Sequence, residues 1–311
     1  MLQSLLTLAA DNPVDHVVNH PWWVVDGWWL WSGNTANLVL SGLILCILGP
    51  WVANQIATGD EDEGNERYFV KSRFAQMIEV IAVYLRENTC RPLLHERTDR
   101  FMPFLWTLFF FILVNNLLGL IPLLDLNHII DREALANHEA IIGGTATQNL
   151  FVTGALALIA GVIINIAGVR ELGAKGFLMH LTGGAPWYLW FLMIPIEILG
   201  TFIKPIALAI RLFANMTAGH ILMAVLFGFA AKGLATVATG ITITPVSMVA
   251  AIAIYFLELF VAFLQAFVFM FLTTVFIGQL SHHHDDEHDH AHDEDFTAPG
   301  PTDEPVLATA G

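Results

Sequence analysis

The sequence predicts an all-α polytopic membrane protein. It has about five transmembrane helices and one interfacial amphipathic helix, and its last two helices are long and tilted against each other as a hairpin. Three observations carry that prediction. Hydrophobic residues make up 56% of the 311-residue chain and charged residues only 13%, with a mean hydropathy of +0.63. Several apolar runs reach the ~20 residues that a helix needs to cross a hydrocarbon core. The final two runs are about twice that long, and 40 helical residues span ~60 Å.

Residues 1–35 read as an external N-terminal segment. Met1–Ala10 is mildly apolar but lacks the basic n-region of a cleaved signal peptide. Trp22, Trp23, Trp28, Trp29 and Trp31 form a cluster of the kind found at membrane interfaces, where the ring is buried and the N–H is wet. The membrane domain occupies 36–280, with a first span over about 36–56. An acidic loop follows, Asp60 to Glu66. Phe69, Val70, Phe74, Met77, Ile78, Ile81 and Leu85 then recur at helical spacing, with Lys71, Arg73, Glu79 and Arg86 between them. That pattern is an amphipathic helix lying in the interface. The second span runs over about 101–124, a polar loop over 125–148, and the third span over about 149–169. Glu171 to Gly184 is a Gly-rich connection.

Pro186–Ala231 and Ile241–Leu280 are the two long tracts. Each is either two spans with a hidden turn or one steeply tilted helix. Pro195 and Pro205 kink the first tract without ending it, and 231–240 makes the turn between the tracts, so two tilted helices are expected. Residues 281–311 form an acidic, His-rich tail read as disordered.

Net charge is −15, concentrated in the tail and in the acidic loop. It implies no nucleic-acid partner. Cys46 and Cys90 make neither metal-site spacing nor a convincing disulfide. Seven Lys and Arg residues lie between Arg67 and Arg100, and Arg170 and Lys175 flank the Gly-rich connection. The positive-inside rule puts both regions in the cytoplasm. Five crossings then leave the N-terminus outside and the tail inside.

Ionisable residues inside spans are the informative set. A guanidinium at bilayer depth costs at least ~2.5–3.5 kcal/mol, and arginine keeps its proton because its pKa lies above ~12. Arg211 stands in the middle of the first long tract. It is either a snorkelling arginine or a fixed charge met by water or by a partner chain's carboxylate. Glu197, Lys204 and Arg211 are spaced by seven and seven, and positions seven apart share a helix face. Asn215 extends that stripe. Glu258 and Gln265 are likewise seven apart on the second long helix. Two such stripes are either interhelical glue or the lining of a water-filled proton path. His220 lies half a turn away from Arg211 and reaches toward Glu258, either as a proton relay or as a satisfied buried histidine.

Lys204-Pro205, Arg211-Leu-Phe-Ala-Asn-Met-Thr-Ala-Gly219 and Leu264-Gln-Ala-Phe-Val-Phe-Met-Phe-Leu-Thr273 carry a resemblance over about 36–282. Asn116 with Leu120-Ile-Pro122, and the segment from Gly176, are weaker matches. The sequence resembles subunit a of the F-type ATP synthase membrane sector, the ATPase subunit 6 family. The resemblance implies a stator subunit in a bacterial inner membrane. Its partners would be c-ring subunits, peripheral-stalk subunit b, the rest of the complex and the lipid. Arg211 would be the essential charge facing the ring carboxylates. Asn215, His220, Glu258 and Gln265 would line the half-channel open to the outside, Glu197 and Lys204 the cytoplasmic-side path, and Asn116 would also belong to the proton path. Many bacterial members carry Glu where His220 stands and His where Glu258 stands, so this chain has the exchanged arrangement. Gly119 and Thr147 stand where Asp is common, and the channel entrance is expected to differ accordingly.

No cofactor is expected. The sequence holds no GxxxxGK[ST] loop and no metal motif in its spans, so nucleotide chemistry would belong to other subunits. His282–His292 is read as solvated tail, with metal binding the weaker alternative. The competing functions are a membrane ion transporter, which predicts inverted repeats and broken helices, and a scaffold subunit of another proton-translocating complex, which has no need of Arg211.

Overall fold

In hydrocarbon every backbone N–H and C=O must be satisfied within the chain, so long apolar runs become helices. The computed structural model describes residues 21–25, 28–56, 70, 72–121, 145–180, 187–235 and 237–279. Among these, five helices are long and apolar enough to cross a membrane. Helix α1 (Gly33–Ala53) starts at Ser32, whose side chain accepts a hydrogen bond from the Thr35 N–H. Asn34, Asn37 and Ser41, three and four residues apart, fall on its buried face, while Val39, Leu43 and Ile47 are exposed. Polar groups inside and large aliphatics outside are what a helix shows when its outer solvent is lipid.

The amphipathic stretch forms α2 (Arg73–Tyr84), with Phe74, Met77, Val80 and Val83 exposed. A π-helical segment follows (Leu85–Cys90), then the short α3 (Arg91–Leu94) and a 3-10 turn (His95–Arg97). His95 has φ 50°, which breaks the helical direction before α4 (Thr98–Leu120). The chain folds back there. Trp106 Nε1 donates to the Ala82 carbonyl at 3.1 Å, whereas 24 residues of straight helix would separate the two by ~36 Å. Arg86 Nη2 pairs with Asp99 Oδ1 at 2.6 Å across the same bend.

Helix α5 spans Leu150–His180, with Gly173 in a positive-φ, extended conformation (φ 69°, ψ 164°). The helix that crosses the membrane therefore stops at Gly173, and the Gly-rich connection expected from Glu171 onward holds a second helical stretch as far as His180. Gly173 supplies the backbone angles that no side-chain-bearing residue adopts cheaply, and the residues on either side keep helical propensity. The remaining residues of that connection, 181–184, lie outside the described residues.

Helices α6 (Trp190–Ala235, 46 residues) and α7 (Val237–Gln279, 43 residues) are the long pair. They pack along each other as a bent hairpin. The turn is tighter than the glycines and threonines of 231–240 suggest, since helix runs to Ala235 and resumes at Val237. Pro195 and Pro205 lie inside α6 without ending it. A Cβ at Gly161 of α5 would stand 2.8 Å from Pro205 Cγ, so that glycine is the notch into which the proline ring packs. Leu105, Phe109 and Ile112 of α4, Leu212 of α6, and Phe269 and Met270 of α7 make the common core. Phe109 meets Phe263 edge-on at 5.6 Å.

One end of the bundle gathers three segments. Trp51 of α1 meets Phe74 of α2 at 6.2 Å between ring centroids. Cys90 Sγ lies 3.7 Å from Met270 Sδ of α7. A Cβ on Gly278 would stand 2.9 Å from the Leu93 carbonyl oxygen. The end of α1, the basic stretch and the end of α7 thus share a side.

Among the described residues one small sheet accompanies the helices, an antiparallel pair β1 (Pro21–Val25) and β2 (Trp28–Ser32), in which Trp23 pairs with Trp31 and Val24 with Trp29. Two runs of aromatic and branched aliphatic residues, Trp22 to Val25 and Trp28 to Trp31, flank Asp26-Gly27 in the sequence, a strong hairpin signal that accounts for it. The acidic loop, the polar loop from Asp125 to Gly144, and the tail with His282–His292 lie outside the described residues.

Candidate functional site

Helix α6 has two distinct faces. Leu208, Leu212 and Met216, four residues apart, are buried in the core. Ala207, Arg211, Ala214 and Ala218 fall on the opposite, exposed face. Arg211 makes no hydrogen bond or ion pair among the described residues. Its guanidinium rises from a surface of Ile203, Ile206 and Ile210, all exposed, with alanines one turn to either side. Lys204 stands elsewhere, half-buried, with Nζ 5.2 Å from the centroid of the Phe276 ring on α7. Glu197 is half-buried near the start of α6. The three residues share a helix but not an environment. A seven-residue spacing drifts by ~20° per step on a straight helix, and α7 covers only part of the stripe.

On α7, Glu258 and Gln265 are both buried, 4% and 3% exposed. Asn215 Nδ2 donates to Gln265 Oε1 at 2.8 Å, joining the two helices one turn beyond Arg211. His220 Nε2 lies 3.4 Å from Glu258 Oε1, and 2.9 Å from Thr145 Oγ1. The Glu258 carboxyl comes this close because residue 219 is glycine: a Cβ there would stand 2.7 Å from Glu258 Oε1. Glu258 Oε1, Gln265 Nε2 and Thr217 Oγ1 are buried without a hydrogen-bond partner among the described residues. Buried polar atoms in that condition are costly unless water or an exchanging proton meets them. The arrangement is an exposed fixed cation, followed along the α6–α7 contact by the exposed Asn215 amide, the buried Gln265 and Glu258 side chains and the half-buried His220 imidazole, groups whose chemistry allows proton exchange.

Asn116 on α4 is fully buried and uses its amide at both ends. Its Oδ1 accepts from Thr147 Oγ1 at 2.9 Å, and its Nδ2 donates to the Ala262 carbonyl of α7 at 3.2 Å. It ties the 3-10 turn Ala146–Gln148 to α7, one helical turn beyond Glu258. The two positions where the sequence lacks an expected Asp are both accounted for. Thr147 is the Asn116 partner, and the space beside Gly119 is filled by the Thr145 side chain, whose Cβ lies 2.7 Å from where a Cβ at 119 would stand.

Sequence reasoning missed Thr145, because it precedes a short turn and no periodicity assigns it a partner 75 positions away. It also quoted Gly219 as part of a motif without finding the contact that requires it. Among the described residues no group of three or more His, Cys, Asp or Glu side chains gathers as a metal site.

Residues 36–278 match the family described as the ATP synthase A chain. The chain belongs to that family. Among curated members, ATP synthase subunit a 2 of Chlorobaculum tepidum is 44% identical over 226 residues, covering 72% of this chain and 56% of the relative. ATP synthase subunit a of Myxococcus xanthus is 44% identical over 222 residues, 70% of this chain and 65% of the relative. The corresponding subunit of Anaeromyxobacter dehalogenans is 44% identical over 228 residues, 72% and 53%. The chain thus spans little more than half to about two thirds of the length of these ATP synthase A chain relatives. The family match begins three residues into α1 and ends one residue before the end of α7, and so takes in every site residue named above.

Proposed function

We propose that this chain is the proton-translocating stator subunit of a rotary ATP synthase in a bacterial cytoplasmic membrane. The observation that carries the reading is Arg211, exposed on an alanine-flanked apolar face of α6 and followed by the Asn215–Gln265 and His220–Glu258 pairs, whose α7 members are buried. An unpaired guanidinium on a lipid-sized surface calls for an anionic partner, and small residues around it let a partner helix approach closely. That partner is a ring of c subunits, each presenting one carboxyl. A peripheral-stalk subunit b holds the chain against the ring, and the chain itself performs no nucleotide chemistry.

Two offset half-channels follow from the same chemistry. A proton from outside passes His220 and Glu258 and neutralises a ring carboxylate. The neutral carboxyl enters lipid without the charge penalty. After nearly a full turn it releases its proton toward the cytoplasm along Glu197 and Lys204. The returning carboxylate is drawn to Arg211, whose permanent charge also bars protons from crossing directly between the half-channels. At ~2.3 kcal/mol per charge per 100 mV, several protons are needed per ATP.

The basic stretch from Arg73 to Arg100 gives the orientation. It lies beside the ends of α1 and α7, so the positive-inside rule supports a cytoplasmic location for all three, with the 1–35 segment outside and the 281–311 tail inside. Purification tests the assembly: the chain should come out of mild detergent with a ring of small two-helix subunits, and isolation without such a ring would count against the reading. Gly219→Ala tests the path. Its methyl group pushes the Glu258 carboxyl away from His220, and a misplacement of ~1 Å at a reacting group can cost on the order of 100-fold. Proton-driven ATP synthesis should fall by ~10- to 100-fold in vesicles containing the assembled Gly219→Ala complex.

A further inference from the structure

Three features outside α6 and α7 converge on His220. Thr145 is fully buried, and its Oγ1 lies 2.9 Å from His220 Nε2. Its backbone is fixed, since its carbonyl accepts from the Gln148 N–H at 2.9 Å. The turn that follows is braced through Thr147 and Asn116 to the Ala262 carbonyl. Gly119 on α4 lies under the Thr145 side chain, so closely that a Cβ there would overlap Thr145 Oγ1, Cγ2 and Cβ. Residue 119 therefore has to lack a side chain for the hydroxyl to stand where it does.

We propose that Thr145 is a positioning residue that holds the His220 ring against Glu258, and that Gly119 is the notch that admits it. A hydroxyl suits this task because it donates to a bare ring nitrogen and accepts from a protonated one. It can stay bonded to Nε2 by turning its O–H in either protonation state of the ring, whereas an ionised carboxylate, which only accepts, would hold the protonated state better. His220 Nε2 is hydrogen-bonded to Thr145 at 2.9 Å and stands 3.4 Å from Glu258 Oε1, so the tether holds the ring beside the carboxyl. The inference rests on the proposed role of His220 and Glu258 in the proton path.

The test uses the complete complex in vesicles, with proton-driven ATP synthesis as readout and subunit content as the control for assembly. Thr145→Val keeps the volume and removes the hydroxyl, Thr145→Ala removes both, and Thr145→Ser keeps the hydroxyl in a smaller side chain. Val and Ala should each lose ~10-fold, and Ser should keep at least about half the rate, an order that packing alone would reverse between Val and Ser. Gly119→Ala should match Thr145→Val, and the double variant should be no worse than the poorer single, because both remove one interaction. Should Val at 145 block assembly, the comparison of Ala with Ser decides. Rates that follow side-chain volume, or equal rates for Ala and Ser, overturn the tether. Arg211→Ala run alongside separates the two readings: if it remains coupled the stator function itself is wrong, and if it is uncoupled while Thr145→Val runs at the unmodified rate only the tether is wrong.

Discussion

Arg211→Ala is expected to abolish both proton-driven ATP synthesis and ATP-driven proton pumping, a loss of at least ~100-fold, in a complex that still assembles. Assembly should survive because Arg211 is exposed and the neighbouring residues that build the core, Leu208, Leu212 and Met216, point the other way. Coupling should fail because nothing else on the exposed face of α6 supplies a charge that no proton can neutralise. The ring carboxylate would return unmet, and protons could pass between the half-channels without turning the ring, so passive leak stays or rises. Arg211→Lys should not restore coupling. An ammonium is a compact point charge that sheds its proton when desolvated, and it lacks the planar fork that meets a carboxylate in two-point contact. Vesicle assays of synthesis, pumping and leak on the same preparation distinguish these outcomes, and coupled synthesis in Arg211→Ala would remove the basis of the proposed function.

The second large effect is expected at the His220–Glu258 pair. His220→Glu alone sets two carboxylates within ion-pair distance, and Glu258→His alone leaves two imidazoles with no anion to attract a proton. Each single change should reduce proton-driven synthesis by ~100-fold, the scale of one positioned acid–base group. The double exchange restores one group of each kind and should recover at least about tenfold over either single variant. Its recovery need not be complete, because Gly219 and Thr145 are fitted to the present arrangement: Gly219 leaves room for the Glu258 carboxyl, and the Thr145 hydroxyl meets an imidazole nitrogen. A double variant no better than the worse single would mean that the residues act independently.

Much of the fold was legible because membrane helices obey few rules. Apolar runs of the right length, a basic stretch and two runs too long for single upright spans were enough for five helices and a closing hairpin. The polar residues of α7 were legible for a related reason, since Glu258 and Gln265 share a face by helix geometry alone. What periodicity could not give was contact between helices. Nothing in the spacing of Asn116 announces that its amide joins Thr147 to the Ala262 carbonyl, because the partners are 31 and 146 positions away. Thr145 was invisible for the same reason. The stripe Glu197, Lys204 and Arg211 was read as one surface, yet packing divides it: Phe276 covers Lys204 while Arg211 is left exposed. The β-hairpin of the tryptophan segment escaped because aromatic content pointed to the interface, while the strand signal lay in the Asp26-Gly27 pair between two runs of β-favouring residues. The break at Gly173 escaped because composition over 171–184 does not say which of its glycines takes a positive φ and separates the two helical stretches.

The central claim is that the exposed face bearing Arg211 meets a moving ring. It is tested most directly by placing a cysteine at Ala207 or Ala214, exposed one turn to either side of Arg211, and another on the carboxyl-bearing helix of the ring subunit. Oxidation of the assembled complex should form a disulfide between the two chains and stop ATP-driven proton pumping, and reduction should restore it. The account is contradicted if no cross-link forms from either position, or if pumping continues at the unmodified rate with the link in place.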